Sequence, residues 1–199
     1  MLFVYFRVFF FSFNSLSHTQ GDARTYSHVL CLSSDSVPTS TDWIQVAKMA
    51  KLIPKICHNV NRVCYVFGEA IKYPVQDVTP TYLSPQVLST LREADARAHD
   101  VLRKSNCYHL VAQMPVILIP IHFDRDYVLG CNREPSVQRS VVIRTFITED
   151  FMTGVPAIPD RHIPFSVFQD MAHQVGSVFG ISRVLYDLTP KPPGTTEWE

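Results

Sequence analysis

The chain has 199 residues, of which 46% are hydrophobic, so it can form one domain with a substantial core or two small ones. Its 18 basic and 18 acidic side chains cancel and form no block of like charge, which argues against a nucleic-acid partner. The five cysteines form no Cys-x-x-Cys pair and the eight histidines show no zinc-ligand spacing. This composition predicts a cytosolic protein with reduced thiols and no metal site.

Residues 1–20 differ in composition from the rest, because six of the thirteen phenylalanines lie within the first thirteen positions. This apolar run is short for a membrane span. Its only charge is Arg7 and no small-residue cleavage site is evident, which makes it a poor signal peptide. We interpret residues 1–20 as the product of a truncated or incorrect gene model and leave them out of the fold prediction.

The next elements are a strand, a helix and a second strand. Apolar side chains alternate over residues 25–33, which is typical of a strand. Thr41 or Asp42 can cap a helix whose apolar residues then recur at helical spacing, and Pro54 should kink or shorten it. The compact apolar run 61–67 predicts a buried strand.

The middle of the chain contains a connector, a long helix and an edge strand. Residues 68–83 include two prolines and predict the connector. Ser84 followed by Pro85 is a helix start, and an apolar stripe continues to residue 105. Two prolines interrupt the strand predicted at 114–123, which favours an edge position.

The last part repeats the order strand, helix, strand. A loop at 127–137 is followed by a strand at 140–148, an amphipathic helix around residues 165–175 and a strand at 182–188. This order resembles that of residues 25–67. It predicts an α+β fold of two related strand-helix-strand subdomains, each with a small mixed or antiparallel sheet covered by helices, and an ordered C-terminal tail.

The predicted boundaries follow from these elements. The first subdomain spans 21–68, and the second spans 138–199 and includes the tail. Residues 69–137 between them hold the connector, the long helix and the edge strand.

The last nine residues, 191–199, combine a lysine, a Pro-Pro pair, a glycine, two threonines and two glutamates. Proline fixes φ and glycine permits close backbone approach, so this segment can hold one bent shape. It can wrap a small anion, with Lys191 as a point charge and Thr195 and Thr196 as donors. The alternative is a docked tail whose Trp198 fills a surface groove.

Together with residues 180–188, this tail resembles the end of glutamine-hydrolysing GMP synthase in its long, eukaryotic-type form. Five further blocks agree with that family in the same order, so that the resemblance covers residues 21–199. The blocks are 21–26, 57–63, 113–115, 138–145 and 150–154.

The resemblance implies that this region binds XMP and forms a dimer in an enzyme that converts XMP, ATP and glutamine to GMP, AMP, pyrophosphate and glutamate. The sequence has no Gly-x-Cys-x-Gly turn for glutamine hydrolysis and no glycine-rich loop for a pyrophosphate. We therefore expect the chain alone to be inactive, with no catalytic residue. We also expect it to hold no cofactor, since ATP and Mg²⁺ belong to the complete enzyme.

Six residues are implied by the resemblance to bind XMP. Lys191 is expected at the phosphate and Thr196 as a donor, and Glu197 could accept from the base or the ribose. The resemblance places the other three, Asp22, Arg24 and Gln113, near the nucleotide. By spacing alone, Asp22 and Arg24 could be turn and edge charges, and Gln113 could cap a strand.

The implied partners are XMP and a second subunit, either in a homodimer or in a pair with full-length GMP synthase. We expect no nucleic acid and no membrane, and a location in the cytosol. The alternative function is a dimerisation module that no longer binds nucleotide. A secreted protein is disfavoured by the free cysteines. Four further arginines are expected to form ion pairs at an interface or on the surface. They are Arg62, Arg139, Arg144 and Arg183.

Overall fold

The computed structural model describes residues 6–20, 23–73, 75, 78–125, 134–196 and 198, with the backbone only for those before Ser27. Six strands form one sheet in the order β1-β2-β3-β6-β5-β4. The strands are β1 (Phe6–Gln20), β2 (Ala23–Ser34), β3 (Val60–Val66), β4 (Val116–Ile119), β5 (Arg139–Ile143) and β6 (Ile181–Asp187).

The sheet joins the two halves of the chain. β2 and β3 are parallel, β5 and β6 are parallel, and the two pairs meet through the antiparallel contact of β3 with β6. The α+β prediction is confirmed. The sequence predicted a small sheet in each half, and in the structure the strands of both halves share a single mixed sheet.

The strand β1 adds a segment that the sequence argument left outside the fold. Its backbone pairs antiparallel with β2, from Phe6 opposite Ser34 to Gln20 opposite Ala23. The division of the chain at residues 20, 68 and 137 stays a prediction. Three strand pairs cross these divisions: β1 with β2, β3 with β6, and β4 with β5.

Three helices form where the sequence predicted them: α1 (Ser40–Ile56), α2 (Pro85–Lys104) and α3 (Phe165–Gly176). The cap of α1 is Thr39, which precedes the expected caps Thr41 and Asp42, and Asp42 completes a capping box with it. Pro54 does not stop α1 at once, because the helix ends only at Ile56 and the Cys57 N–H still bonds to the Ile53 carbonyl. Ser84 caps α2 as predicted.

The two faces of the sheet bury different neighbours. One face packs under all three helices, in a core that includes Trp43, Leu102 and Phe168. The other face carries Cys31, Val142 and their neighbours and is covered by the connector, by residues 119–123 and by Trp198. Successive strand residues point to opposite faces, so each strand supplies both cores.

Two predicted strands are shorter than expected. β4 covers only Val116–Ile119, because prolines flank it on both sides and cannot donate to the ladder. β5 ends at Ile143, and the chain then leaves the sheet and forms single bridges at Phe146 and Ile147. Most of the predicted loop at 127–137 lies outside the described residues.

Within the described residues, no helix combines the length and the apolar character needed to cross a membrane.

Phe168 offers a test of the helix-covered core. Its side chain is 1% exposed and its ring lies 4.9 Å from that of Tyr186 on β6. Phe168→Ala should lower the free energy of unfolding by about 3–5 kcal/mol, since it leaves a cavity. Leu52→Ala is the control, because Leu52 lies on α1 and is 54% exposed. Urea denaturation followed by circular dichroism measures both. Equal loss in the two variants would contradict this packing.

Candidate binding site at the C-terminal tail

Three charged side chains lie on the sheet face opposite the helices. Arg62 is on β3, Asp187 ends β6 and Arg144 directly follows β5, so they come from three adjacent strands. Each lies two residues from an apolar member of the loop-covered core, which puts all three on the same face. All three are buried.

The carboxylate of Asp187 accepts hydrogen bonds from both arginines. Arg62 Nη1 lies 3.1 Å and Arg144 Nη1 2.8 Å from Asp187 Oδ2. The Thr189 N–H donates to Oδ1 at 2.8 Å, and the Trp198 indole N–H donates to Oδ2 at 2.8 Å. The buried charge is thus compensated by four donors, as a buried ion must be to persist.

The buried carboxylate of Asp187 and the neighbouring guanidinium groups influence each other's pKa. Burial acts to raise the pKa of Asp187, but Arg144, Arg62 and the Thr189 donors outweigh it and hold the pKa below its ordinary value. Burial lowers the pKa of Arg62 to about 10, against the attraction of Asp187. Arg62 therefore still carries its proton at neutral pH, and the ion pair is charged.

The arginines also hold the C-terminal tail, which we define as residues 188–198. Arg62 donates to the Thr195 carbonyl at 3.1 Å and to its hydroxyl at 2.7 Å. Arg144 Nε donates to the Thr196 carbonyl at 2.9 Å. Trp198 packs on the loop-covered core and its ring lies 5.5 Å from the Arg62 guanidinium carbon. The tail is therefore docked on the sheet.

The bend of the tail depends on its small and rigid residues. The Gly194 N–H bonds to the Pro190 carbonyl at 3.0 Å, which closes the turn. A Cβ on Gly194 would lie 3.0 Å from Arg62 Nη1, closer than most such contacts. The peptide bonds preceding Pro192 and Pro193 are cis. Glycine at 194 thus lets the backbone approach the buried arginine.

Lys191 lies at the outer side of this turn. Its ammonium donates to the Phe151 carbonyl at 2.6 Å and to the Thr196 hydroxyl at 3.1 Å, and it lies 5.8 Å from the centre of the Phe146 ring. Its backbone pairs with Gly154 in both directions. The predicted residues Lys191 and Thr196 are therefore in direct contact.

Gln113 is linked to the backbone of Phe146. The two residues form a backbone bridge, with the Phe146 N–H donating to the Gln113 carbonyl at 2.8 Å, and the Gln113 side chain is exposed. Phe146 therefore contacts both predicted residues, Gln113 through its backbone and Lys191 through its ring.

For the three remaining predicted site residues, the structure describes no side chain. Asp22 and Glu197 lie outside the described residues. Arg24 lies near the start of β2, whose residue His28 pairs with Val60 at the start of β3. The tail leaves β6 at the same end of the sheet as the starts of β2 and β3, because Asp187 at the end of β6 pairs with Cys64 of the antiparallel β3. Only the backbone of Arg24 is described.

A groove of about 940 Å³ opens beside Lys191. Its walls are the C-terminal half of α1, the loop of residues 147–155 and the tail from Pro190 to Pro193. Lysines from both sides line it, together with apolar proline and aliphatic side chains. The lining residues include Lys51, Pro54, Lys55, His58, Val155 and Lys191. A volume of this size accommodates a nucleotide-sized ligand.

The sequence reasoning missed the buried charges. Arg62 and Arg144 were expected in surface or interface ion pairs, and this is wrong, since both are buried with Asp187. The sequence did contain a signal for this buried cluster, since two arginines and one aspartate occur within otherwise apolar predicted strands. Arg183 does form a partly exposed pair with Asp124, and Arg139 bonds to the Thr81 hydroxyl at 2.7 Å.

His58 follows the end of α1 and is exposed. No cluster of three or more metal-ligating side chains occurs in the part of the chain that the structure describes.

Comparison with known proteins identifies the region. Residues 100–198 match the family described as GMP synthase C terminal domain. The chain is 43% identical over 192 residues to a probable glutamine-hydrolyzing GMP synthase of Caenorhabditis elegans and 44% identical over 191 residues to that of Dictyostelium discoideum. A probable GMP synthase of Leptospira interrogans is 30% identical over 181 residues.

These alignments cover 90% of the chain in each case. They cover 25% of the two eukaryotic relatives and 27% of the bacterial one, so the chain spans about a quarter of the length of these proteins. The chain belongs to the GMP synthase family and corresponds to its C-terminal part.

Removing the charge of Asp187 should loosen the tail and destabilise the fold. Asp187→Asn leaves two buried guanidinium groups without a counter-charge, which should cost about 3–5 kcal/mol. Trp198→Phe removes the indole donor to Asp187 together with part of the ring surface, and the lost hydrogen bond alone should cost about 1.5–3 kcal/mol. Chemical denaturation measures both, with Asp170→Asn, an exposed carboxylate, as control. An unchanged stability in Asp187→Asn would contradict the role of this ion pair.

Acid should act through the same carboxylate. Because the pKa of Asp187 is lower in the folded than in the unfolded chain, its stabilising contribution is complete above the unfolded value of about 3.9. This contribution is lost as the pH falls below that value and through the folded pKa. The free energy of unfolding of the wild type should therefore fall more steeply below pH 4 than that of Asp187→Asn. Parallel curves for the two proteins would contradict the assignment.

Proposed function

We propose that this chain is the XMP-binding and subunit-pairing part of a GMP synthase, and that its docked tail forms one wall of the nucleotide site. The observation that carries the proposal is the position of Lys191. It is held by Phe151 and Thr196 at the edge of a nucleotide-sized groove, and its ammonium lies 5.8 Å from the ring of Phe146, whose backbone pairs with Gln113.

Lys191 suits the phosphate of XMP. An ammonium group has three N–H donors, and two of them are used by the Phe151 carbonyl and the Thr196 hydroxyl. These bonds fix the nitrogen and leave the third donor for a phosphate oxygen. The ligand therefore meets a cation whose side-chain entropy has already been lost, which favours binding.

The other predicted contacts divide between the ends of the nucleotide. Gln113 carries an exposed amide, which can both donate and accept and so suits the edge of a purine base. Arg24 suits the phosphate, and Asp22 and Glu197 suit ribose hydroxyls or a base N–H. Together with Thr196, these residues complete the set of six.

This chain then contributes binding and not bond making. In the complete reaction the xanthine carbonyl of XMP is adenylated by ATP and attacked by ammonia released from glutamine. We propose that ATP and Mg²⁺ are held by other parts of the enzyme. Binding energy from the nucleotide phosphate holds the xanthine ring in place for these steps, which is how a remote contact accelerates a reaction.

An exposed apolar surface supports the pairing of subunits. Val137 is 77% and Phe179 92% exposed, and both line a second groove of about 680 Å³ at the end of the sheet opposite the tail. Leu83, in the nearby connector, is 90% exposed. Large apolar side chains with this degree of exposure favour a protein interface. The proposed second subunit is either an identical chain or a full-length GMP synthase.

Calorimetric titration of the chain with XMP tests the nucleotide part of the proposal. We expect saturable binding, and Lys191→Met should weaken it about tenfold, as expected for the loss of one charged hydrogen bond. Lys104→Met, at the end of α2, is the control and should bind like the wild type. Absence of binding by the folded chain would favour the alternative, a dimerisation module without a nucleotide site.

Light scattering tests the pairing part. The wild-type chain should have the mass of a dimer, and Phe179→Asp should shift it towards the monomer by placing a charge in the apolar surface. A monomeric wild type at the concentrations used for titration would contradict this part of the proposal and leave the nucleotide part standing.

A further inference from the structure

The groove beside Lys191 has a second basic wall that belongs to α1. Lys51 and Lys55 are four residues apart and therefore lie on the same side of the helix. Both line the groove, opposite the loop of residues 147–155 and next to the tail. The resemblance to GMP synthase assigned no role to either lysine.

These two lysines are exposed and have no ion-pair partner among the residues that the structure describes. The carboxylates that line the groove are Glu149 and Asp150. Asp150 accepts from the N–H groups of Met152 at 3.0 Å and of Thr153 at 2.8 Å, which hold its carboxylate within its own turn.

The charged groups of the groove therefore favour a dianion. Three lysines, Lys51, Lys55 and Lys191, face two carboxylates, one of which is bonded within its own loop. A phosphate monoester carries a charge of about −1.5 to −2 at neutral pH and is best bound by more than one cation. Lys191 alone supplies one.

The walls of the groove between these cations are apolar. Pro54 of α1, Val155 of the loop and Pro190 of the tail contribute carbon surface next to the charges. A site with apolar walls and a few converging polar groups is typical of small-molecule recognition. This arrangement suits a ligand with a flat ring system at one end and a phosphate at the other.

We propose that Lys51 and Lys55 bind the phosphate of the purine nucleotide jointly with Lys191, so that α1 and the tail contact the phosphate from two sides. This inference rests on the proposed function, since it names further binding residues of the same site. It makes α1 a phosphate-binding element.

The test separates the phosphate from the rest of the ligand. XMP and xanthosine differ only in the phosphate, so the ratio of their dissociation constants measures what the phosphate contributes. In the wild-type chain XMP should bind about 1,000-fold more tightly than xanthosine, as expected for three charged contacts of about tenfold each. In the double variant Lys51→Met, Lys55→Met this ratio should fall about tenfold or more, with xanthosine binding unchanged.

The matched control removes two cations from the last turn of another helix. Arg103→Met with Lys104→Met changes the net charge equally at the end of α2, away from the groove. This control should keep the wild-type ratio. The variant Lys51→Arg, Lys55→Arg keeps both charges and should restore most of the preference for XMP.

Protection from chemical modification gives a second measurement on the unaltered chain. Because Lys55 also lies at the carbonyl end of α1, its removal can weaken the helix. XMP should slow the acetylation of Lys51 and Lys55, followed by mass spectrometry, and leave Lys104 unaffected. Xanthosine should protect neither lysine.

The outcomes distinguish the two proposals. If both ligands bind and the double methionine variant keeps the wild-type ratio, the phosphate lies elsewhere and only the role of α1 is overturned. An equal loss for XMP and xanthosine would show that the lysines shape the groove without touching the phosphate, which also overturns it. If neither ligand binds to the folded chain, the nucleotide site itself is absent and both proposals fail together.

Discussion

The buried carboxylate of Asp187 is the constraint on which the rest of this structure depends. Two arginines from neighbouring strands converge on it, and neither could remain buried and charged without it. The requirement runs in both directions, because Asp187 holds its charge only in the field of Arg62 and Arg144. The ion cluster therefore favours the placement of β6 between β3 and β5 and links these three strands at the end of the sheet where β6 finishes.

The cluster also explains why a C-terminal segment is ordered at all. Chain ends normally fray, since few contacts oppose their conformational entropy. Here the guanidinium groups have more donors than one carboxylate can accept, and other N–H groups of the two arginines donate to the carbonyls of Thr195 and Thr196. The Trp198 indole N–H donates to Asp187 in turn. Hydrogen bonds in both directions thus join the tail to the sheet.

A tail held in this way can support recognition at a distance from the ion cluster. Lys191 lies on the outer side of the bend, where it faces a groove shared with α1. The groove is built from elements of both halves of the chain, since α1 precedes β3 and the 147–155 loop follows β5. A ligand in it would contact the two halves at once. Because both halves share one sheet, the walls of the groove hold a fixed position relative to each other.

The sequence by itself determined the local elements. Hydrophobic periodicity and caps such as Ser84 place all three helices, because these signals act within a few residues of each other. The strands predicted at 114–123 and 140–148 were too long at one or both ends, since periodicity does not show where the pairing of a strand stops. The residues of the tail also predicted its bend, through the rigidity of proline and the freedom of Gly194.

Only the tertiary structure decided which charges are buried and what they bind. Arg62 lies 125 residues from Asp187 along the chain and Arg144 lies 43 residues from it, and they meet because β6 is placed between β3 and β5. That strand order brings the two halves into one sheet, which local patterns do not specify. The same long-range order sets α1 beside the tail, because burial and charge pairing act between elements that the sequence keeps far apart.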